Sequence, residues 1–207
     1  MHATIRRYDG VDQNRTTELT TKVNETLVPK LRKMPGFAGY YLIEAGNGVI
    51  SSIELFENVE QADWAPDGDR LAVIHSVGGK NRIEFPIGKV LYETANHISL
   101  IRFSPRGDLL GFREVAGIRG DYGEGEIAVI DLQGKRRVWP GTQGAGDFVW
   151  SPTSEGIWYL KQDHAAGLTE LHASTLAGRG RLIASLPGSF RLYDVSQDGR
   201  ALMERTL

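Results

Sequence analysis

The sequence predicts a mainly β protein, a partial β-propeller of about three and a half four-stranded blades preceded by an N-terminal β-α-β-β segment of ferredoxin-like α+β type. Three observations carry this. A hairpin motif made of an apolar anchor, a proline and an Asp-Gly turn recurs along the chain. Strand-like apolar runs follow each copy, and residues 1–58 alone show helical periodicity.

The motif reads ADWAPDGDRLAV (62–73), IRFSPRGDLLGF (101–112), FVWSPTSEGIWY (148–159) and YDVSQDGRALM (193–203). Its anchors are Trp64, Phe103, Trp150 and Val195, spaced 39, 47 and 45 residues apart. A period of roughly 40–50 residues suits propeller blades, because one four-stranded sheet cannot bury both of its faces alone. Trp64, Phe103 and Trp150 are large enough to fill the gap between neighbouring sheets. Pro66, Pro105 and Pro152 have no N–H and end a strand. Asp67-Gly68, Gly107 and Asp198-Gly199 supply the positive φ of a tight turn.

Each motif therefore joins the first and second strands of a blade, the second starting at Leu71 to Ile74 in the first copy. Outer strands are expected at 82–86 and 90–94, at 126–132 and 136–139, and at 169–174 and 181–186, with turns at Gly88-Lys89, Gln133 to Lys135 and Leu176 to Gly180. The expected blades are 60–97, 98–145, 146–189 and an incomplete 190–207. In its S-P-D-G hairpin and the apolar strand after it, the stretch 60–207 resembles the bacterial TolB-like, WD-repeat-related propellers, which implies a non-enzymatic frame for binding and, in that family, frequent association with a kinase or peptidase domain.

In the front segment, Ala3 to Tyr8 reads as a strand. Leu19, Val23, Leu27, Leu31 and Met34 then recur at three- and four-residue intervals and share a helical face. Asp12 or Asn14 is the expected cap, Pro29 an expected kink, and Pro35-Gly36 the stop. FAGYYLIEA and VISSIELF follow as strands around Gly46-Asn47-Gly48. With its Pro29 and its PGFAGYYL start, this segment resembles the first part of an antibiotic biosynthesis monooxygenase-like ferredoxin-type domain. That resemblance implies an oxidoreductase, or a site for haem or a polycyclic ligand, under the helix. The family unit continues with a second helix and fourth strand, whereas here the repeat begins at once after Asn58, and residues 1–58 contain no tryptophan.

Composition narrows the chemistry. A formal net charge of −2 gives no broad basic field, so neither nucleic acid nor a membrane is an expected partner. Cysteine is absent, which excludes disulfides and thiolate sites. MHATIRRYDG has no apolar core behind its basic residues, and a cytoplasmic location is the expectation. The histidines, His2, His75, His97, His164 and His172, show no metal-ligand spacing, and there is no G-x-S-x-G elbow or phosphate loop. No metal, cofactor or catalytic residue is assigned. Gly144-Ala145-Gly146 reads as a linker, Arg119-Gly120-Asp121 as part of a solvated loop, and both Lys135-Arg136-Arg137 and Arg179 to Arg181 as charge that keeps an edge soluble. Arg6, Arg7 and Tyr8 are the candidate ligand contacts of the front segment.

The leading expectation is a non-enzymatic module that binds a protein or a small molecule. The alternatives are an oxygenase-like activity in the front segment, and a truncated or hybrid piece of a larger propeller-containing kinase or peptidase. The incomplete last blade leaves an open edge that favours self-association. Two outcomes stay open: Val49 to Phe56 pairs near the carboxyl terminus and closes the ring, or residues 1–58 form a separate α+β unit.

Overall fold

A computed structural model describes residues 2–33, 37–56, 59–68, 70–116 and 125–206, and the chain divides into two compact units, 1–62 and 63–207. Met34, Pro35-Gly36, Arg119-Gly120-Asp121 and Asn58 lie outside the described residues.

In the first unit, β1 (His2–Tyr8), β2 (Phe37–Gly46) and β3 (Val49–Phe56) form an antiparallel sheet in the order β1-β3-β2. Both edges of Val49–Phe56 are thus occupied, and ring closure through this strand is excluded. A 3-10 turn, Gln13–Arg15, is capped by the Asp12 side chain, which accepts from the Asn14 N–H at 3.0 Å. Helix α1 (Thr16–Lys22) follows, then a π-helical turn, Val23–Leu27, and α2 (Val28–Leu31). The deformation expected at Pro29 appears as that π turn on its N-terminal side: Pro29 has no N–H for the carbonyl four residues back, and the ladder widens there. Leu19, Val23 and Leu27 are half-buried and Leu31 fully buried.

Strand alternation gives this sheet two different faces. Ile50, Ser52, Glu54 and Phe56 are buried, and Phe37 meets Phe56 edge-on at 5.8 Å. The opposite face carries the cross-strand row Ile5–Ile53–Tyr41, in which Ile5 and Tyr41 are exposed. At the β2–β3 turn, Gly48 has φ +72° and a Cβ there would stand 2.8 Å from the Val11 carbonyl oxygen, so only glycine fits.

One pattern repeats from residue 59 onward. β4 (Val59–Trp64), β5 (Leu71–Val77), β6 (Lys80–Glu84) and β7 (Val90–Thr94) form the first sheet. The second holds β8 (His97–Phe103), β9 (Leu109–Val115), β10 (Gly125–Asp131) and β11 (Arg136–Val138). The third holds β12 (Ala145–Trp150), β13 (Gly156–Asp163), β14 (Leu168–Thr175) and β15 (Gly180–Pro187). The fourth has β16 (Ser189–Val195) and β17 (Ala201–Thr206). Each is an antiparallel meander in chain order, the arrangement of blades in a partial propeller. Ala145 is fully buried and pairs with Lys161, so the Gly144–Gly146 run is not a linker but leads into β12.

Every first strand ends on a repeat anchor, and the same turn follows. The N–H of Gly68, Gly107, Ser154 and Gly199 donates to the carbonyl of Ala65, Ser104, Ser151 and Ser196, respectively, at 2.8–2.9 Å. All four of these donors have positive φ: 81°, 75°, 61° and 78°. In the third copy a serine takes the glycine's place, and its Oγ accepts from the Arg106 N–H of the preceding hairpin at 3.0 Å.

The sheets stack face to face. Ile74, Ile83 and Phe85 of the first bury against Phe103, Leu110 and Phe112 of the second, with Phe85 edge-on to Phe103 at 4.9 Å. Val129 and Trp139 of the second meet Phe148, Trp150 and Tyr159 of the third. Val149, Leu160 and Leu171 of the third meet Leu192 and Val195 of the fourth. Trp64, Phe103 and Trp150 are 7, 7 and 6 % exposed. One polar link joins the inner strands at each step. Asp63 Oδ2 accepts from Phe103 N–H (2.7 Å), Trp150 Nε1–H donates to the Arg102 carbonyl (3.0 Å), and Asp147 Oδ2 accepts from Leu192 N–H (3.2 Å).

Candidate functional site

A concave surface of the second unit lies on the face of the third sheet that meets the fourth. Val149, Trp158, Ala173 and Arg181 form one cross-strand row on that face. One row along, Leu160 and Leu171 are buried against β16 and β17. Trp158 and Ala173 are only half-buried and Arg181 is exposed, because the fourth sheet ends at β17 among the described residues and reaches no farther across its neighbour. The result is a groove of about 440 Å³ between the β12–β13 hairpin and the β14–β15 turn, lined by Trp158 and Ala173, with Glu155, Arg179 and Arg181 at its rim. An aromatic and aliphatic lining with two guanidinium groups suits an extended polypeptide better than a small polar metabolite.

A second cluster joins the outer parts of the first two sheets. Glu114, 5 % exposed, accepts from Thr94 Oγ1 (3.0 Å), Asn96 Nδ2 (3.0 Å), Tyr92 Oη (3.1 Å) and Arg136 Nη2 (2.6 Å). Arg136 also reaches Glu126 at 2.8 Å and lies over the Tyr92 ring at 5.6 Å. Burial pushes the Glu114 carboxyl up, but the donors Asn96, Arg136 and Thr94 and the Arg136 charge outweigh it and hold the group below the usual carboxylate range. Every carboxylate oxygen is satisfied, so this cluster is a clamp between sheets. Arg136, read from sequence as a solvated edge charge, is a half-buried member of it. The Glu114 side of the pair carries no turn or motif signal, and only the register of β9 against β10 shows it.

The front-segment candidates do not converge. Register puts Arg6 and Tyr8 at positions of one face and Arg7 at the other. Arg7 forms an exposed ion pair with Asp9 at 2.9 Å, Tyr8 is 43 % exposed, and the Arg6 side chain is outside the described residues. Sequence reading passed over Ser52, whose Oγ is buried without a hydrogen-bond partner among the described residues, on the buried face of β3 with Glu54. His75 contacts Glu84 at 3.4 Å, and His172 contacts Glu170 at 2.9 Å while stacking on Tyr159. No group of three or more metal-ligating side chains comes together among the described residues, and no helix among them is long and apolar enough to cross a membrane.

Neither a family model nor a curated protein matches the chain. Among solved structures it is similar to an uncharacterised protein from Listeria monocytogenes, at 13 % identity and a TM-score of 0.50, over 72 % of this chain and 50 % of that one. An acylaminoacyl peptidase from Pyrococcus horikoshii gives 15 % identity and a TM-score of 0.38, over 50 % of this chain and 16 % of the peptidase. A prolyl endopeptidase gives 17 % and 0.42, over 91 % and 31 %. The chain thus spans half or less of the length of each of these three neighbours. The Listeria likeness bears on the fold alone, and the two weaker ones add nothing to it.

Proposed function

We propose that the blade unit is a non-enzymatic binding module of the TolB-like kind, with the groove on the third sheet as its docking surface. The observation that carries this is the Trp158–Ala173–Arg181 row: an apolar, cation-rimmed strip that continues a buried inter-sheet core beyond the strands that cover it. Panning a random peptide display library against the chain tests it. Peptides are expected to be enriched on the natural chain and not on Ala173→Arg, which places a long cation in the groove. Equal enrichment on both, or steady turnover of haem, a quinol or a peptide p-nitroanilide by the purified chain, would refute the reading.

A second reading makes the blades part of a longer propeller that accompanies a peptidase domain. It is supported by the two-stranded fourth sheet among the described residues and by the half-length match to the Listeria protein. Sequencing the flanking DNA tests it: further blade repeats in frame with a peptidase domain are expected, and their absence rejects it.

A further inference from the structure

The three four-stranded sheets differ at their outer edges. β11 has three residues, two of them arginine, and β7 has five, among them Glu93 in ion pairs with Lys80 and Arg82. Short strands and charges keep such edges from pairing. β15 has eight residues and carries no charge from Leu182 to Pro187, and Leu182 is 52 % exposed. Among the described residues its one strand neighbour is β14, which leaves the far edge open. Two bonds fix which backbone groups face that edge. Thr175 N–H donates to the Arg179 carbonyl at 3.0 Å and Gly188 N–H to the Gly167 carbonyl at 2.9 Å, and directly opposite residues of an antiparallel ladder are bonded and unbonded in turn. Counted from each end, Gly180 and Leu182 turn their N–H and C=O outward before the bulge of β15, and Ser185 and Pro187 do so after it, Pro187 with a carbonyl only.

The outward residues of β15 are therefore spaced by two, then three, then two along the chain. A regular strand offers bonding groups at every second residue and matches one side of the bulge only. A second copy run antiparallel offers the same series in reverse, and this series is its own reverse. We infer that β15 pairs with β15 of a second copy of the chain, about a two-fold axis that passes between Ile183 and Ala184 perpendicular to the sheet. Leu182 then lies opposite Ser185 of the second copy, and Gly180 opposite its Pro187. The N–H groups of Leu182, Ser185 and Gly180 donate across the seam to the carbonyls of Ser185, Leu182 and Pro187, in both directions, and Pro187 has no N–H to leave unpaired. The side chains agree with this register. Leu182 and Ser185, the partners of His172 and Glu170, share one face, so the exposed leucine gains a small neutral neighbour. Arg181 and Leu186, the partners of Ala173 and Thr169, share the other, so Arg181 meets a leucine and no like charges stand opposite.

This inference goes beyond the binding-module reading, since it uses the strand edge and not the groove. Sedimentation equilibrium of the natural chain should show monomer and dimer exchanging with a Kd of about 1–100 µM, as suits so narrow a contact. Ser185→Pro removes an outward donor and no bond to β14, and should weaken the dimer at least about tenfold, whereas Ser185→Ala keeps the donor and should dimerise as the natural chain does. Leu182→Lys keeps every backbone donor and places a charge on the edge, and it too should weaken the dimer at least about tenfold. Circular dichroism checks the fold of each variant. Because the chain has no cysteine, register can be read by cross-linking. Residues opposite each other in a bonded pair stand about 5.5 Å apart, within disulfide reach, so a mixture of Leu182→Cys and Ser185→Cys chains should link one variant to the other on mild oxidation, and neither should link to itself. A natural chain still monomeric at about 1 mM would overturn the inference and leave the edge to a different polypeptide. So would a folded Ser185→Pro or Leu182→Lys that dimerises as well as Ser185→Ala, or a Leu182→Cys chain that links to itself as readily as to Ser185→Cys.

Discussion

The interface between the first and second sheets and that between the third and fourth are made from the same repeat, yet they differ in depth. In the first, apolar residues from inner, middle and outer strands bury together: Phe103, Phe112, Ile130 and, packed at the margin, Leu91 and Leu132. In the second, Leu192 and Val195 cover Val149, Leu160 and Leu171, and the strip beyond them stays open. Both have the anchor at the end of the first strand and a polar link between inner strands. The comparison teaches that the hairpin motif sets where sheets meet, while the third and fourth strands decide how much is buried.

The largest test of that contrast is truncation in a filled interface. Trp150→Ala is expected to lose about 3–5 kcal/mol in urea unfolding, because it removes a buried indole and its bond to the Arg102 carbonyl. A loss under about 1 kcal/mol would mean the indole is not a core group. Glu114→Ala comes next. It takes the carboxylate acceptor from Thr94, Asn96 and Tyr92 and leaves Arg136 with Glu126 alone, and should lose about 2–3 kcal/mol, less than a fully buried pair. The same carboxylate makes the filled interface acid-sensitive. Its folded pKa lies below the ordinary 4.5, so its contribution is complete above pH 4.5 and is lost as pH falls through the depressed value. Acid titration followed by tryptophan fluorescence should show a transition below pH 4.5 that Glu114→Gln weakens.

Leu192→Ala, in the shallow interface, should lose less than Trp150→Ala, about 2 kcal/mol. A loss equal to that of Trp150→Ala would erase the distinction between the two interfaces. Ser154 gives a finer measure. Ser154→Ala keeps the left-handed backbone and removes the acceptor of the Arg106 N–H, for about 1 kcal/mol, whereas Ser154→Gly also relieves the backbone and should fall within about 0.5 kcal/mol of the natural chain. Leu202→Lys, on the exposed side of β17, should change stability by less than about 0.5 kcal/mol.

The fold was legible where physics is local. Proline, Asp-Gly and the apolar run Leu71 to Ile74 act within a few residues, so hairpins and strands can be read directly. Position 154 shows the limit: serine in a glycine slot gives no signal until its Oγ is seen to bond Arg106. Of the two outcomes left open for Val49–Phe56, ring closure was the one the structure does not show, since strand pairing is a long-range choice and β1 takes the edge that closure needs. The groove was not legible at all. Trp158, Ala173 and Arg181 lie 8 to 23 residues apart and become one row only through the β13–β14–β15 register.

The polar links between inner strands bear on how such a chain tolerates change. They are set by side-chain reach, Asp63 to Phe103, Trp150 to Arg102 and Asp147 to Leu192, and not by the length of polypeptide that runs between. The anchors stand 39, 47 and 45 residues apart, yet each hairpin closes at the same place. Insertions and deletions at the outer connections therefore leave the hub unaltered, and a lineage of such proteins is free to diversify its rim while the centre keeps its geometry.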